Sequence, residues 1–209
     1  MLYSNWAPKL QSRWSTRRND TYTNFRNASL VVPRLIHWLL QYQKGEYGIK
    51  SSVIHGDAVF TNAIIKADRP RIAWVDMRGM LGNKNTLAGD ANYDWSKVLQ
   101  SLLGYDFVLL GLENKAQTNF AHLLEFYRNT YVSWHGETLW AWLWILCAQS
   151  MVSILPLHED QPKESQQFYR MGVKWLIQAE EMLAKQGIVY NGPGKLVITY
   201  EEIFGCTDV

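Results

Sequence analysis

The chain has 209 residues, 47% of them hydrophobic, with Trp 10 and Tyr 11, which is enough apolar side chain for one sizeable core. A formal charge of +2 is too small to imply nucleic acid, because no Lys/Arg block could neutralise a run of phosphates, and the one basic cluster, Arg13, Arg17 and Arg18, reads as a solvated helix end. Cys147 and Cys206 have neither metal-ligand spacing nor a disulfide framework, which points to a reducing compartment, the cytoplasm.

Helical spacing of apolar residues predicts a first helix from Tyr3 to about Arg17 and a second from Leu30 to Lys44, closed by Lys44 and Gly45. Met1 leads into these without the apolar core of a signal peptide. From Val53 to Val75 the texture changes to short β-rich runs, "VIHG", "NAIIKA" and "RIAWVD", the last two joined by a hairpin turn over Ala67 to Pro70. A polar, glycine-bearing loop runs from Gly79 to Gly89. Helical patterns return over roughly Tyr93–Leu103, Asn114–Val132, Glu137–Leu155 and Ser165–Gln186, and the tail after Gly187 reads as short and irregular.

The uncharged stretch from Thr138 to Leu157 is nearly long enough to span a bilayer. It is expected to be a buried helix: Gln149, Ser150 and Ser153 share its second half, and Pro156 ends it. No repeat, low-complexity tract or linker marks a boundary. The expectation is a single unit over 1–209, mostly α with a small β-hairpin element, divided into a motif core (53–103), a helical bundle (104–187) and a short tail (188–209).

Polar residues concentrate around the β element. In "HGDAVFTN" the Asp57 carboxylate and the Asn62 amide stand five apart in a loop leaving a short run, so both can turn to a common centre. "WVDMRG" then places Asp76 at the end of a strand able to pair antiparallel with the preceding one. Asn62 and Asp76 converging at a hairpin base are hard oxygen ligands of the kind Mg²⁺ prefers, completed by water and phosphate oxygens. Asp57 is left as a base. For any one of these residues the alternative is that it satisfies loop backbone.

"HGDAVFTN", "WVDMRG" and "GDANYDWSKVLQSL" together resemble the successive signature motifs of the aminoglycoside phosphotransferase and choline kinase family, a branch of the protein-kinase-like fold. More loosely, they are similar to kinase-like domains of surface-polysaccharide biosynthesis proteins, whose middle motif carries an Arg-Gly such as Arg78-Gly79. The architecture resembled spans about residues 30 to 190, while the specific motifs lie between His55 and Leu102. The resemblance implies that Asp57 orients and deprotonates an acceptor hydroxyl, and that Asn62 and Asp76 hold Mg²⁺ on the phosphates of ATP or GTP. His55 braces the loop or is a satisfied core histidine. Arg78 pairs with a phosphate or anionic substrate, or bridges to Asp90 or Asp94. Asp90 and Asp94 are supporting residues, Asp94 as an N-cap or a brace for the catalytic loop.

Kinase-like enzymes complete the nucleotide site with an N-terminal β lobe bearing a Gly-rich loop. The 54 residues before His55 read as helices, so this chain is expected to be a helical C-terminal lobe whose N-lobe is absent, with a domain or partner chain supplying the nucleotide-binding sheet. Three functions compete: a small-molecule phosphotransferase lobe acting on a sugar or amino alcohol hydroxyl; a non-catalytic binding or scaffold module derived from such a lobe; and a metal-dependent phosphoesterase using Asp57, Asp76, Asp90 and His55. No nucleic acid or membrane partner is expected. The aromatic run Trp134 to Trp144 is either a core stripe or the wall of an acceptor pocket.

Overall fold

The computed structural model describes residues 5–18, 20–68, 71–81, 84–112 and 120–205. It is mostly helical, with three two-stranded antiparallel pairs. In chain order the elements are α1 (Trp6–Arg17), α2 (Ala28–Lys44), β1 (Lys50–Ser51), β2 (Ala63–Lys66), β3 (Arg71–Trp74), β4 (Met80–Leu81), β5 (Lys84–Asn85), β6 (Gly89–Asp90), α3 (Ala91–Leu102), α4 (Tyr105–Leu109), α5 (Phe120–Ser153), α6 (Pro162–Ala184) and α7 (Tyr200–Phe204). The described residues fall into two compact units, one of Asn5 with Gly48–Trp134 and one formed by Trp6–Tyr47 with residues 135–205.

The Gly48–Trp134 unit carries all the strands. β1 pairs with β6, β2 with β3 in the register Ala63↔Trp74 to Lys66↔Arg71, and β4 with β5. β6 leads directly into α3, which Asp90 caps by accepting from the Asn92 N–H, an N-cap that satisfies one of the helix's orphan donors. The β2–β3 hairpin exposes both faces: Ile64, Ile65, Ile72, Trp74, Val75 and Met77 all face solvent.

The second unit is a helix-packed core. On α2, Val31, Leu35, Trp38, Leu39 and Tyr42 repeat at helical spacing and are buried. Trp142 on α5 lies against Trp38, Tyr42 and Tyr47, with ring centroids 4.8 to 5.8 Å apart. Arg34 is buried among these apolar residues. Its Nε and Nη2 donate to the two oxygens of Glu180 on α6 at 2.5 and 2.9 Å, its remaining hydrogens reach the carbonyls of Lys195 and Leu196, and its plane stacks 3.7 Å from the Tyr190 ring. This network anchors the segment after Gly187.

Several expectations need correction. "VIHG" is not a strand; its backbone donors at His55 and Gly56 go to the Asp94 side chain in place of a ladder. The Gly79–Gly89 loop contains the β4–β5 pair and the first residue of β6. α4 was not expected. The tail is not wholly irregular: Thr199 and Glu202 form a capping box that starts α7. The expectation of two helices over Asn114–Val132 and Glu137–Leu155 agrees with the structure, in which α5 is two helices that meet at a kink at Gly136 (φ 85, ψ 166). Tyr3, the turn residues Arg69 and Pro70, residues 114–119 and Cys206 lie outside the described residues. α5 extended through Leu157 is the one helix among the described residues long and apolar enough to cross a membrane, and its apolar window is 78% buried in the fold, as a core helix would be.

Candidate active site

The loop from His55 to Asn62 forms no strand or α-helix, only a 3₁₀ turn over Phe60–Asn62, so several of its backbone donors need partners elsewhere. The partners come mainly from α3 and α4. Asp94 accepts from the N–H of His55 at 2.6 Å and of Gly56 at 2.8 Å, Ser101 Oγ from Phe60 at 2.9 Å, and Asp106 from Thr61 at 3.1 Å. Within the loop, the Asp57 carbonyl accepts from Val59 N–H at 2.8 Å and from the Asn62 amide Nδ2 at 2.9 Å. His55 Nδ1 accepts from Asp57 N–H at 3.3 Å, so the ring braces the loop, while its Nε2 is buried without a partner. Gly56 is needed twice over: its φ is +80°, and a Cβ there would stand 2.9 Å from Arg78 Cβ.

The hairpin delivers the second half of the site. Because Ala63 pairs with Trp74, the next residues outward are Asn62 and Val75, and the Val75 N–H donates to the Asn62 carbonyl at 2.9 Å. Asp76 follows at once, in the left-handed region with φ 61°. A side chain there costs roughly 1–2 kcal/mol of backbone strain, of the kind that concentrates at functional sites. The Asp76 side chain is exposed and, among the described residues, takes no hydrogen-bond or ion-pair partner, though its charge acts on Arg78, and with Asn62 Nδ2 committed to the loop the Asn62 Oδ1 is the amide atom left as an acceptor. This donor set of one carboxylate and one amide oxygen suits a hard cation that keeps most of its shell for phosphate and water. Among the described residues no three of His, Cys, Asp and Glu gather around a common point.

Asp57 is flanked by cations. Lys97 Nζ lies 3.1 Å from its Oδ1, and Arg78 Nη2 lies 3.9 Å from its Oδ2. Arg78 donates to the Tyr93 hydroxyl at 2.7 Å and packs over its ring. Burial works against the Arg78 charge, but Tyr93, Asp57 and Asp76 together outweigh it and hold the guanidinium above its usual range. The Tyr105 hydroxyl is pushed up to about 12, first by burial and then by the nearby charges of Asp57 and Asp106, so it stays protonated at neutral pH.

An aromatic cavity of about 300 Å³ opens beside the loop, walled by His55, Trp74, Asp94, Trp95 and Tyr127. Trp95 also packs edge-on against Trp134, at 5.7 Å. Of the Trp134–Trp144 run, then, Trp134 lies against this wall, whereas Trp140 and Trp142 are buried core.

His55, Asp57, Asn62, Asp76, Arg78 and Asp94 thus belong to one neighbourhood. The expected bridge from Arg78 to Asp90 or Asp94 does not form; its partners are Tyr93 and Asp57. Asp90 is the helix cap and is also bound by Ile49 N–H, while Asp94 is the brace of the loop. Sequence reasoning passed over Lys97, Ser101, Tyr105 and Asp106. Their signal was present: Asp94, Lys97 and Ser101 stand at i, i+3 and i+7, one polar stripe along the helix. Compared with protein-family models, with curated proteins and with solved structures, the chain matches none.

Proposed function

We propose that the chain is the helical lobe of a Mg²⁺-dependent small-molecule phosphotransferase of protein-kinase-like fold, transferring the γ-phosphoryl group of ATP or GTP to a hydroxyl of a sugar or amino alcohol, in the cytoplasm. One observation carries this reading: the Asn62 amide donates to the carbonyl of Asp57, and the Asn62 carbonyl accepts from Val75, the residue before Asp76, so backbone and side-chain bonds link the segments that bear all three. Asp57 accepts the hydrogen of the acceptor hydroxyl. Asn62 Oδ1 and Asp76 hold Mg²⁺, which neutralises phosphate charge when bound. Arg78, held charged beside Asp57, meets the anionic end of the substrate. His55 and Asp94 keep the loop in shape, and phosphoryl transfer depends chiefly on such positioning and on charge stabilisation.

The exposed Ile64, Ile65, Ile72, Trp74 and Met77 on the β2–β3 hairpin support a further element of the reading. The described residues preceding His55 form α1, α2 and the two-residue strand β1, which pairs with β6, and the nucleotide-binding sheet of this reading comes from another segment or chain, which covers this hairpin. The same exposed surface favours the second reading, a binding module descended from such a lobe. The phosphoesterase reading is weaker, because Asp90 is buried at the helix cap and committed to Ile49 and Asn92.

Calorimetry with Mg²⁺ or Mn²⁺, alone and with ATP or GTP, tests the assignment. Asp76→Ala is expected to abolish cation-dependent nucleotide binding, and an isotherm unchanged from wild type would remove Asp76 from the metal site. Asp57→Asn should keep that binding and lower transfer by about 10²-fold or more. Binding that persists in wild type with no transfer to any acceptor would favour the scaffold.

A further inference from the structure

Asp94, Lys97 and Ser101 share one face of α3, and all three reach the loop between His55 and Asn62. Asp94 and Ser101 accept backbone hydrogens. Lys97 alone reaches a side chain that the proposed reaction uses. Its side chain is 8% exposed, against 28% for Asp57, so a largely desolvated ammonium points outward at a partly open carboxylate. Burying a cation is costly unless it is paired, and a helix position needed only for packing would carry an apolar side chain, as Leu99 and Leu102 do on the same helix. The two carboxylate oxygens are therefore unequal. Oδ1 is held by Lys97 at 3.1 Å, while Oδ2 has, among the described residues, only Arg78 at 3.9 Å, beyond direct hydrogen-bond reach.

We propose that Lys97 is the positioning residue of this site: it holds Oδ1 of Asp57 so that Oδ2 is the oxygen presented to the acceptor hydroxyl. The inference rests on the phosphotransferase reading. In the transfer, the acceptor oxygen forms a bond to the γ-phosphorus. The bond from that phosphorus to the β–γ bridging oxygen breaks, its electron pair leaving on the nucleoside diphosphate, and the hydroxyl proton passes to Asp57 Oδ2. A carboxylate held at one oxygen suits a loose transition state that asks mainly for orientation. Lys97 touches neither phosphate nor acceptor and acts through Asp57.

Two measurements on the whole chain test this. In ¹⁵N spectra of the lysine ammonium groups, Lys97 Nζ should give a slowly exchanging signal that disappears in Asp57→Asn; a signal that survives the substitution overturns the proposal and leaves the phosphotransferase reading standing. In single-turnover transfer from γ-labelled ATP or GTP with Mg²⁺ to a panel of sugars and amino alcohols, Lys97→Met should lower the rate at saturating nucleotide by about 10²-fold. The nucleotide concentration for half-saturation should stay within about twofold, because the loss falls on the transfer step and not on nucleotide binding. Lys97→Arg should restore part of the rate. A merely structural lysine would not give that split or that rescue, and equal rates for Lys97→Met and wild type overturn the proposal. The transfer assay is run with the segment or chain that supplies the nucleotide-binding sheet joined to this one, and a wild type so completed that transfers to no acceptor, with its Nζ signal intact, overturns the phosphotransferase reading and this inference with it.

Discussion

Asp94 is the most demanding test of how the loop is built. Its carboxylate accepts two backbone hydrogens, from His55 at 2.6 Å and Gly56 at 2.8 Å, and both contacts are partly buried. Replacing it by alanine leaves two donors without an acceptor. A buried donor left unmade costs about 1–3 kcal/mol, and these two are only partly buried, so the sum expected for Asp94→Ala is roughly 2–4 kcal/mol. Asp94→Asn should fall between, because a carboxamide keeps one acceptor oxygen but turns an N–H₂ group toward a donor. Urea unfolding measures the sum, with an unchanged m value as the sign that only stability moved. Amide exchange locates it: at about 1.4 kcal/mol per factor of ten, His55 and Gly56 should exchange some thirty- to several-hundred-fold faster in Asp94→Ala. The control is Asp90→Ala, which removes the acceptor of the Ile49 and Asn92 hydrogens at 2.9 and 3.0 Å and should speed exchange there instead. A loss below about 0.5 kcal/mol for Asp94→Ala, the range of ordinary surface changes, with His55 and Gly56 still protected, would refute the view that this side chain holds the loop.

Three more outcomes follow from the packing. Arg34→Met should destabilise the chain by about 3–5 kcal/mol, because Glu180, whose side chain is 12% exposed, would keep its charge without its partner; an Arg34→Met, Glu180→Leu pair should recover most of the loss in chemical denaturation. Tyr105 is raised to about 12, chiefly by burial, and burial raises Tyr22, Tyr169 and Tyr190 as well. The folded state therefore holds protons that the unfolded one releases near pH 10, so this stabilisation is complete below about pH 10 and is lost as pH climbs through the folded values. In an absorbance titration part of the tyrosine signal should appear only with unfolding, and reversible ionisation of all tyrosines near pH 10 would contradict the burial. Leu146→Asp places a charge at a fully buried position of α5 and should abolish cooperative folding, whereas recovery of the wild type only from membranes would overturn the core reading of that helix.

The helices were legible in the sequence where one buried stripe repeats over three turns or more. α2 and α6 begin within three residues of the expected starts and end within two of the expected ends, since Leu35, Trp38, Leu39 and Tyr42, or Phe168, Val173, Leu176 and Ala179, admit only one period. The hairpin was legible through its β-branched runs. "VIHG" misled because apolar, β-branched residues flank a segment whose hydrogen bonds are long-range: the acceptor for His55 and Gly56 lies 39 and 38 residues away, and no local pattern announces a side chain standing in for a strand. α4 is a five-residue helix begun at Gly104 in a left-handed conformation, too short to show a period. α7 had a local cue that was passed over, the Thr199-x-x-Glu202 capping box. The candidate site residues stood out as motifs, but the sequence could not tell which of Asp90 and Asp94 caps the helix and which braces the loop. Both precede or open the same helix, and only the return of His55 and Gly56 onto Asp94 separates them.

α3 carries a polar load that stability alone does not explain. Asn92, Ser96, Lys97, Gln100 and Ser101 are all buried on one short helix, and the Gln100 side chain has neither of its amide atoms satisfied. Each such group lowers stability relative to an apolar residue of the same shape, so a helix selected only to pack would have shed them. Departures from local consistency of this kind gather where a structure serves a site. Here three of the polar side chains on α3 (Asp94, Lys97, Ser101) meet the loop that bears Asp57, and a fourth, Asn92, accepts from the Tyr131 hydroxyl at 2.7 Å, tying α5 to the same helix. Holding an irregular loop in one conformation requires acceptors that no strand or helix of its own can provide, and α3 provides them from a rigid scaffold before any ligand arrives. The cost in packing on α3 and the fixed position of the Asp57 carboxylate are therefore two consequences of one arrangement.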